Sequence, residues 1–183
     1  MLSTTGCTHL SGESEISQAA ADSSFHAQGR FSARFSTNHG EEALAARFDW
    51  QHAPDADEIK LIAPLGATVA RLAREGDTVT VEQVGRAPRA QQVTNWDELT
   101  TQTLGFPVPV ESLSYWLRGV ASPGAAAVTR DAAGRIDSLR QHGWEVQYSY
   151  AESRQPDRLD IRYGETVGLR LKIDTITLPE ASR

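Results

Sequence analysis

Two pairs of carboxylates, Asp137 with Glu145 and Asp157 with Asp160, have spacings from which acid–base catalysis across a cleft could be assembled. Nothing in the sequence sets either pair face to face, and carboxylates on polar strand faces and in turns ordinarily keep a chain in solution. The five histidines, His9, His26, His39, His52 and His142, include no pair at metal-ligand spacing. His39, His52 and His142 fall at expected strand ends or turns, where a solvated imidazole is the ordinary outcome. No Gly-x-Ser-x-Gly elbow, Gly-rich phosphate loop or strand-to-helix Gly-x-Gly-x-x-Gly occurs. The single cysteine, Cys7, lies in a polar tract where no base could be held beside it. The sequence therefore assigns no catalytic residue and no metal ligand, and implies no cofactor; a hydrolase, or another β-barrel protein that binds a small ligand, stays only as the alternative reading.

Size and charge narrow the classes further. A chain of 183 residues with 39% hydrophobic side chains suits one domain with a real core. Its formal net charge of −6 and lack of any run of Lys or Arg leave nothing from which to build a phosphate-tracking surface, so nucleic acid is not an expected partner. No window approaches the roughly 18 consecutive apolar residues of a membrane-spanning helix. One cysteine excludes an internal disulfide framework. Cys7 follows a small residue and precedes a Ser/Glu/Ala/Gln tract running to about Ser24, which reads as a tether over residues 1–24 ahead of a single domain over 25–183. A lipidated cysteine has this setting, and so does an incidental one.

The elements that would position any site are mostly strands. From Gln28 the period is two: Phe31, Ala33 and Phe35 alternate with Arg30, Ser32 and Arg34 before a turn at Asn38-His39-Gly40. The return arm places Leu44, Ala46, Phe48 and Trp50 on one face. Further strands are expected from Glu58 to Ala63, up to Gly76-Asp77, and from Thr78 to about Val84, making a five-strand meander. Others follow near Ala126–Arg130, Arg135–Gln141, Trp144–Tyr150, Arg158–Tyr163 and Thr166–Ile176. Hairpin-length connections argue for an antiparallel sheet, and about ten strands in one sheet should curl into an incomplete barrel. The fold class is mainly β, an open barrel covered by short helices.

Between the two runs of strands lies an apolar block. Asn95 with Glu98 resembles a capping box before Leu99, and Gly105 is a plausible stop. Pro107 and Pro109 hold Phe106 and Val108 out of the helical region, so two short helices should be joined by a stiff extended link. Downstream, Val110, Leu113, Trp116 and Leu117 fall on one helix side, with Ser114, Tyr115 and Arg118 on the other. These residues, with Trp96 and Leu104, either fill the concave side of the sheet as plain core or form a lid over a cavity of the kind that accepts acyl chains. In Ala63-Pro64-Leu65-Gly66, proline suits the first central turn position, which leaves Leu65 at the tip. A lone exposed leucine is ordinary; the functional reading is that it dips into a bilayer or a partner's mouth.

Several landmarks occur together: Gly29-Arg30-Phe31, Arg47-Phe48-Asp49-Trp50, Ala63-Pro64-Leu65-Gly66, the Leu104–Pro109 block with Leu113 and Trp116-Leu117, Trp144-Glu145-Val146, and Gly168 to Ile173. With these the chain resembles the LolA/LolB lipoprotein-localisation family over about Gly29 to Leu178. The resemblance implies an outer-membrane lipoprotein receptor on the periplasmic face, anchored through an acylated cysteine, with Cys7 at the matching position. It implies a hydrophobic acyl-chain cavity and lid, placed at Phe31, Phe35, Phe48, Trp50, Ile59, Leu61, Trp96, Leu99, Phe106, Leu113, Trp116 and Leu117. Pro64, Leu65 and Gly66 match the family's membrane-delivery loop. The implied partners are the periplasmic carrier LolA, acylated lipoprotein cargo and outer-membrane lipid, with the chain itself a monomer.

Overall fold

The computed structural model describes residues 23–83 and 96–178. Cys7 and the Asn95 cap lie outside the described residues. Five strands come first: β1 (Phe25–Thr37), β2 (Gly40–Ala53), β3 (Ala56–Ile62), β4 (Thr68–Glu75) and β5 (Thr78–Gln83). Two helices follow, α1 (Trp96–Leu104) and α2 (Val110–Trp116). The chain closes with β6 (Ala126–Arg130), β7 (Ile136–Gln141), β8 (Trp144–Ser149), β9 (Arg158–Tyr163) and β10 (Val167–Thr177).

All ten strands form one antiparallel sheet in the order β5-β4-β3-β2-β1-β10-β9-β8-β7-β6. Each half is a simple meander, because connections of two to eight residues only allow neighbouring strands to pair. The halves meet where β1 pairs with β10, placing the beginning and end of the domain side by side at the centre. The longest strands, at 13, 14 and 11 residues, are β1, β2 and β10, so the sheet is tallest there. No pairing joins β5 to β6 among the described residues, and the barrel stays open as expected.

Alternation decides which face is inside. In β2, Ala46, Phe48 and Trp50 are buried, and the same period buries Val146 in β8, Leu159 and Ile161 in β9 and Leu169 and Leu171 in β10. Each Phe, Val, Leu or Ile among them stabilises the fold by about 1.5–3 kcal/mol relative to exposure. The opposite face is held by ion pairs such as Arg71–Glu58 (2.7 Å) and Arg170–Asp160 (2.6 Å). These exposed pairs contribute at most about 1 kcal/mol each.

Three expectations are revised. β1 begins at Phe25, ahead of Gln28, because Phe25 packs edge-on to Trp50 and stacks on His52. His52 is correspondingly not a solvated turn residue. Its Nδ1 lies 2.6 Å from Oδ1 of buried Asp57, which also accepts from Trp50 Nε1 (2.8 Å) and faces Arg74 at 2.7 Å. Nor does α2 have a wet side at Ser114 and Arg118, since both are buried. Arg118 donates to the carbonyls of Ser114 and Ser23 and lies over the rings of Phe25 and Tyr115, so the start of β1 covers the side opposite the apolar stripe.

Candidate functional site

Local chemistry sets the helix pair before packing does. In α1 the hydroxyl of Thr100 donates to the Trp96 carbonyl (2.9 Å) and accepts from the Val108 N–H (2.8 Å), tying the link to the helix. The helix stops at Gly105, whose φ of +88° and N–H bond to the Thr101 carbonyl (2.9 Å) make a left-handed cap. A Cβ there would also sit 3.3 Å from the Phe35 ring, so glycine answers both conformation and space. Pro109, at φ −78° and ψ 68°, is the centre of an inverse γ-turn closed by the Val110 N–H on the Val108 carbonyl (2.8 Å). The next bond, Leu113 N–H to the Pro109 carbonyl (2.8 Å), opens α2.

This bent pair covers the concave face incompletely. A cavity of about 80 Å³ remains between it and the sheet. Its floor is Phe31, Phe48, Trp50, Ile59, Leu61 and Leu72, continued by Leu169 and Leu171 of β10; its roof is Thr100, Phe106, Val108, Val110 and Leu113. The wall is apolar, because the one roof hydroxyl, that of Thr100, is already hydrogen-bonded within the helix pair. Two features fix the floor. Gly29 lets the Phe48 ring lie against the β1 backbone, since a Cβ there would fall 2.8 Å from the ring and 2.2 Å from the Lys172 carbonyl. Trp50 is held through its indole N–H by Asp57. A cavity of this character takes up hydrocarbon and gives a polar ligand nothing to bond.

Of the twelve residues assigned to cavity and lid, the structure brings seven to the cavity wall: Phe31, Phe48, Trp50, Ile59, Leu61, Phe106 and Leu113. Phe35 stands behind it, 4.5 Å between ring centres from Phe106. Trp96, Leu99, Trp116 and Leu117 are sealed in the core at 0–2% exposure, with Trp116 Nε1 donating to Gln141 (3.1 Å). Thr100, Val108 and Val110 of the roof had not been assigned, nor had three strand residues of the floor, Leu72, Leu169 and Leu171. Alternation marks each of these leucines as inward, but only the β1–β10 pairing carries β10 to the floor.

The Pro64-Leu65-Gly66 tip is a hydrogen-bonded turn in which Gly66 N–H donates to the Ala63 carbonyl and Ala63 N–H to the Ala67 carbonyl, both at 2.8 Å. Leu65 is 100% exposed and Val69 in the adjoining strand 43%. Three of the four carboxylates considered for acid–base work are otherwise engaged: Glu145 pairs with Arg140, Asp157 with Lys172, and Asp160 with Arg158 and Arg170. Among the described residues no group of three or more His, Cys, Asp or Glu is placed to hold a metal. No helix of the described residues is long and apolar enough to cross a membrane.

Comparison with known proteins places this arrangement. A LolA superfamily protein from Nitrosomonas europaea superposes with a TM-score of 0.49 at 10% identity, covering 93% of this chain and 94% of that one. The outer-membrane lipoprotein LolB of Chromobacterium violaceum is 36% identical over 154 residues, 82% of this chain and 79% of that protein. That of Cupriavidus necator is 34% identical over 168 residues, 87% and 83% of the two chains. The family described as outer membrane lipoprotein LolB matches residues 23–175, which span both helices and nearly the whole sheet, and the chain belongs to that family.

Proposed function

We propose that this chain is a lipoprotein-localisation receptor on the periplasmic face of the outer membrane. It accepts acylated lipoproteins from a LolA-type periplasmic carrier, holds their acyl chains between sheet and helices, and inserts them into the outer membrane. The observation that carries this reading is the apolar cavity under the proline-linked helix pair. At about 80 Å³ it is far below the roughly 300–1,000 Å³ of sites that hold drug-sized ligands, so loading requires α1 and α2 to swing away from the floor. The roof suits that motion, because it is two short helices on either side of a link that the Val108 N–H bond to Thr100 ties to α1, so the pair can move as one unit.

Burying one acyl chain of about 16 carbons at ~0.8 kcal/mol per methylene contributes on the order of 12 kcal/mol before costs. Release into water is too slow to be useful, and handover runs directly from the carrier's cavity to this one and then to the bilayer, driven by successive differences in affinity. Cys7 is the anchor in this reading, and Leu65 at the exposed turn enters the bilayer during delivery. The test is to mix the full chain with a triacylated lipoprotein loaded on its carrier, without detergent. Cargo should move into a complex with this chain; cargo that stays on the carrier refutes the receptor reading. Leu65→Glu should keep fold and cargo binding yet lose delivery into vesicles, because a charge at the tip resists entering lipid.

A further inference from the structure

The solvent face of the sheet, opposite the apolar cavity, holds a second concavity of about 940 Å³ that runs across β1, β10, β9, β8, β7 and β6. Strand register sets its side chains in rows. Arg34 stands level with Gly168, Gly168 with Arg162, Arg162 with Glu145 and Glu145 with Arg140. The groove contains four arginines and two carboxylates, and the carboxylates are taken: Glu145 binds Arg140 (2.9 Å) and Asp160 binds Arg170 (2.6 Å). Arg34 and Arg162 have no carboxylate partner among the described residues.

These two arginines flank Gly168, with their Cα atoms about 10 Å apart across two strand spacings. No side chain stands between them, and a Cβ built on Gly168 would meet nothing within 4 Å. Like charges bordering an open gap in one cross-strand row repel each other in the empty protein. An anion placed over the gap reverses that, since each guanidinium can offer a fork of parallel N–H donors to a tetrahedral oxyanion. Ser32 and Arg170 occupy the adjoining row of the same groove and add further donors. The whole chain has a formal charge of −6, so this positive groove is a local arrangement and not a reflection of overall excess.

We propose that the groove is a phosphate-binding site in which Arg34 and Arg162 clasp one phosphate group over Gly168, carried by a lipid headgroup or by a soluble phosphate ester. The site faces away from the acyl cavity and stands or falls independently of the receptor reading. The full chain is titrated with inorganic phosphate and with glycerol 3-phosphate at physiological ionic strength, following the Gly168 amide and arginine Nε resonances. In parallel it is co-sedimented with phosphatidylethanolamine vesicles with and without phosphatidylglycerol.

Saturable shifts with the soluble anions identify a phosphate-ester site; association confined to phosphatidylglycerol vesicles identifies a headgroup site. In either case Arg34→Ser with Arg162→Ser should weaken binding about tenfold or more. Gly168→Thr, at a position without positive φ, should do the same by filling the gap while leaving the melting temperature in place. Arg47→Ser, which removes one charge from the same face outside the groove, should change binding less than twofold if the site is specific. Absence of response to every probe, or binding indifferent to the Arg34/Arg162 pair, overturns the proposal.

Discussion

Around β7, β8 and β9 the inward side chains Leu139, Val146, Leu159 and Ile161 are 0–2% exposed, and Trp116 from the roof is locked to Gln141 among them. Around β2, β3 and β4 the same roof stops short, leaving Phe48, Ile59, Leu61 and Leu72 at the edge of a void. One sheet and one helix pair thus give a closed half and a half with space to spare. A void forfeits dispersion contacts that a packed interior would make, so it localises compliance beside the residues that line it. The packed half fixes the helix pair to the sheet at Trp116, and the hollow half is where the roof can lift.

Truncation at Trp116 should be the most damaging single test of that contrast. Trp116→Ala removes a side chain with no exposure and one of the donors to Gln141, which keeps its bonds to Ser122, and should cost about 3–5 kcal/mol in urea denaturation. A loss below about 1 kcal/mol would show the closed half to be loose. Matched leucines sharpen the point: Leu139→Ala in the closed half should cost about 4 kcal/mol and Leu61→Ala beside the void about 2, because Leu61 already lacks neighbours on one side. Equal costs would erase the distinction. Leu72→Phe, which fills the void, should leave stability within about 1 kcal/mol while cutting uptake of an apolar fluorescent probe.

The last test is a titration in the closed half. Burial pushes the Tyr150 phenol up to about 12, against the pull of Arg135 over its ring at 4.3 Å, and the hydroxyl donates to the Ile136 carbonyl (2.8 Å). An unfolded tyrosine ionises near 10. Between those values the unfolded chain has released a proton that the folded one keeps, so stability is intact below about pH 10 and falls as pH rises toward 12. Phenolate absorbance read beside the denaturation midpoint checks this; ionisation of all four tyrosines near pH 10 in the folded protein would contradict it.

Much of the site was legible where its signal is local. The exposed Leu65 turn, the stop at Gly105 and the break into two short helices at Pro107–Pro109 follow from what proline and glycine allow within four residues, and each is found as read. The Arg118 side of α2 was not legible, because a helical period reports one apolar side and cannot announce that a strand from nearly a hundred residues earlier will cover the other. His52 was misread for the same reason, its partners being Asp57 on the next strand and Phe25 at the start of the domain.

By itself, the sequence determined the strands, their inward faces, the bent helix pair between them and the family to which they point, since alternation, turn residues and proline act over a few residues. Only the tertiary structure decided that β1 lies beside β10, that seven of the twelve assigned side chains meet around a cavity while four are sealed away, and that Arg34 and Arg162 flank a gap at Gly168. A two-residue period says which side chains share a face. What stands opposite or beside that face depends on pairing between segments far apart in the chain, which is settled by packing all of them at once.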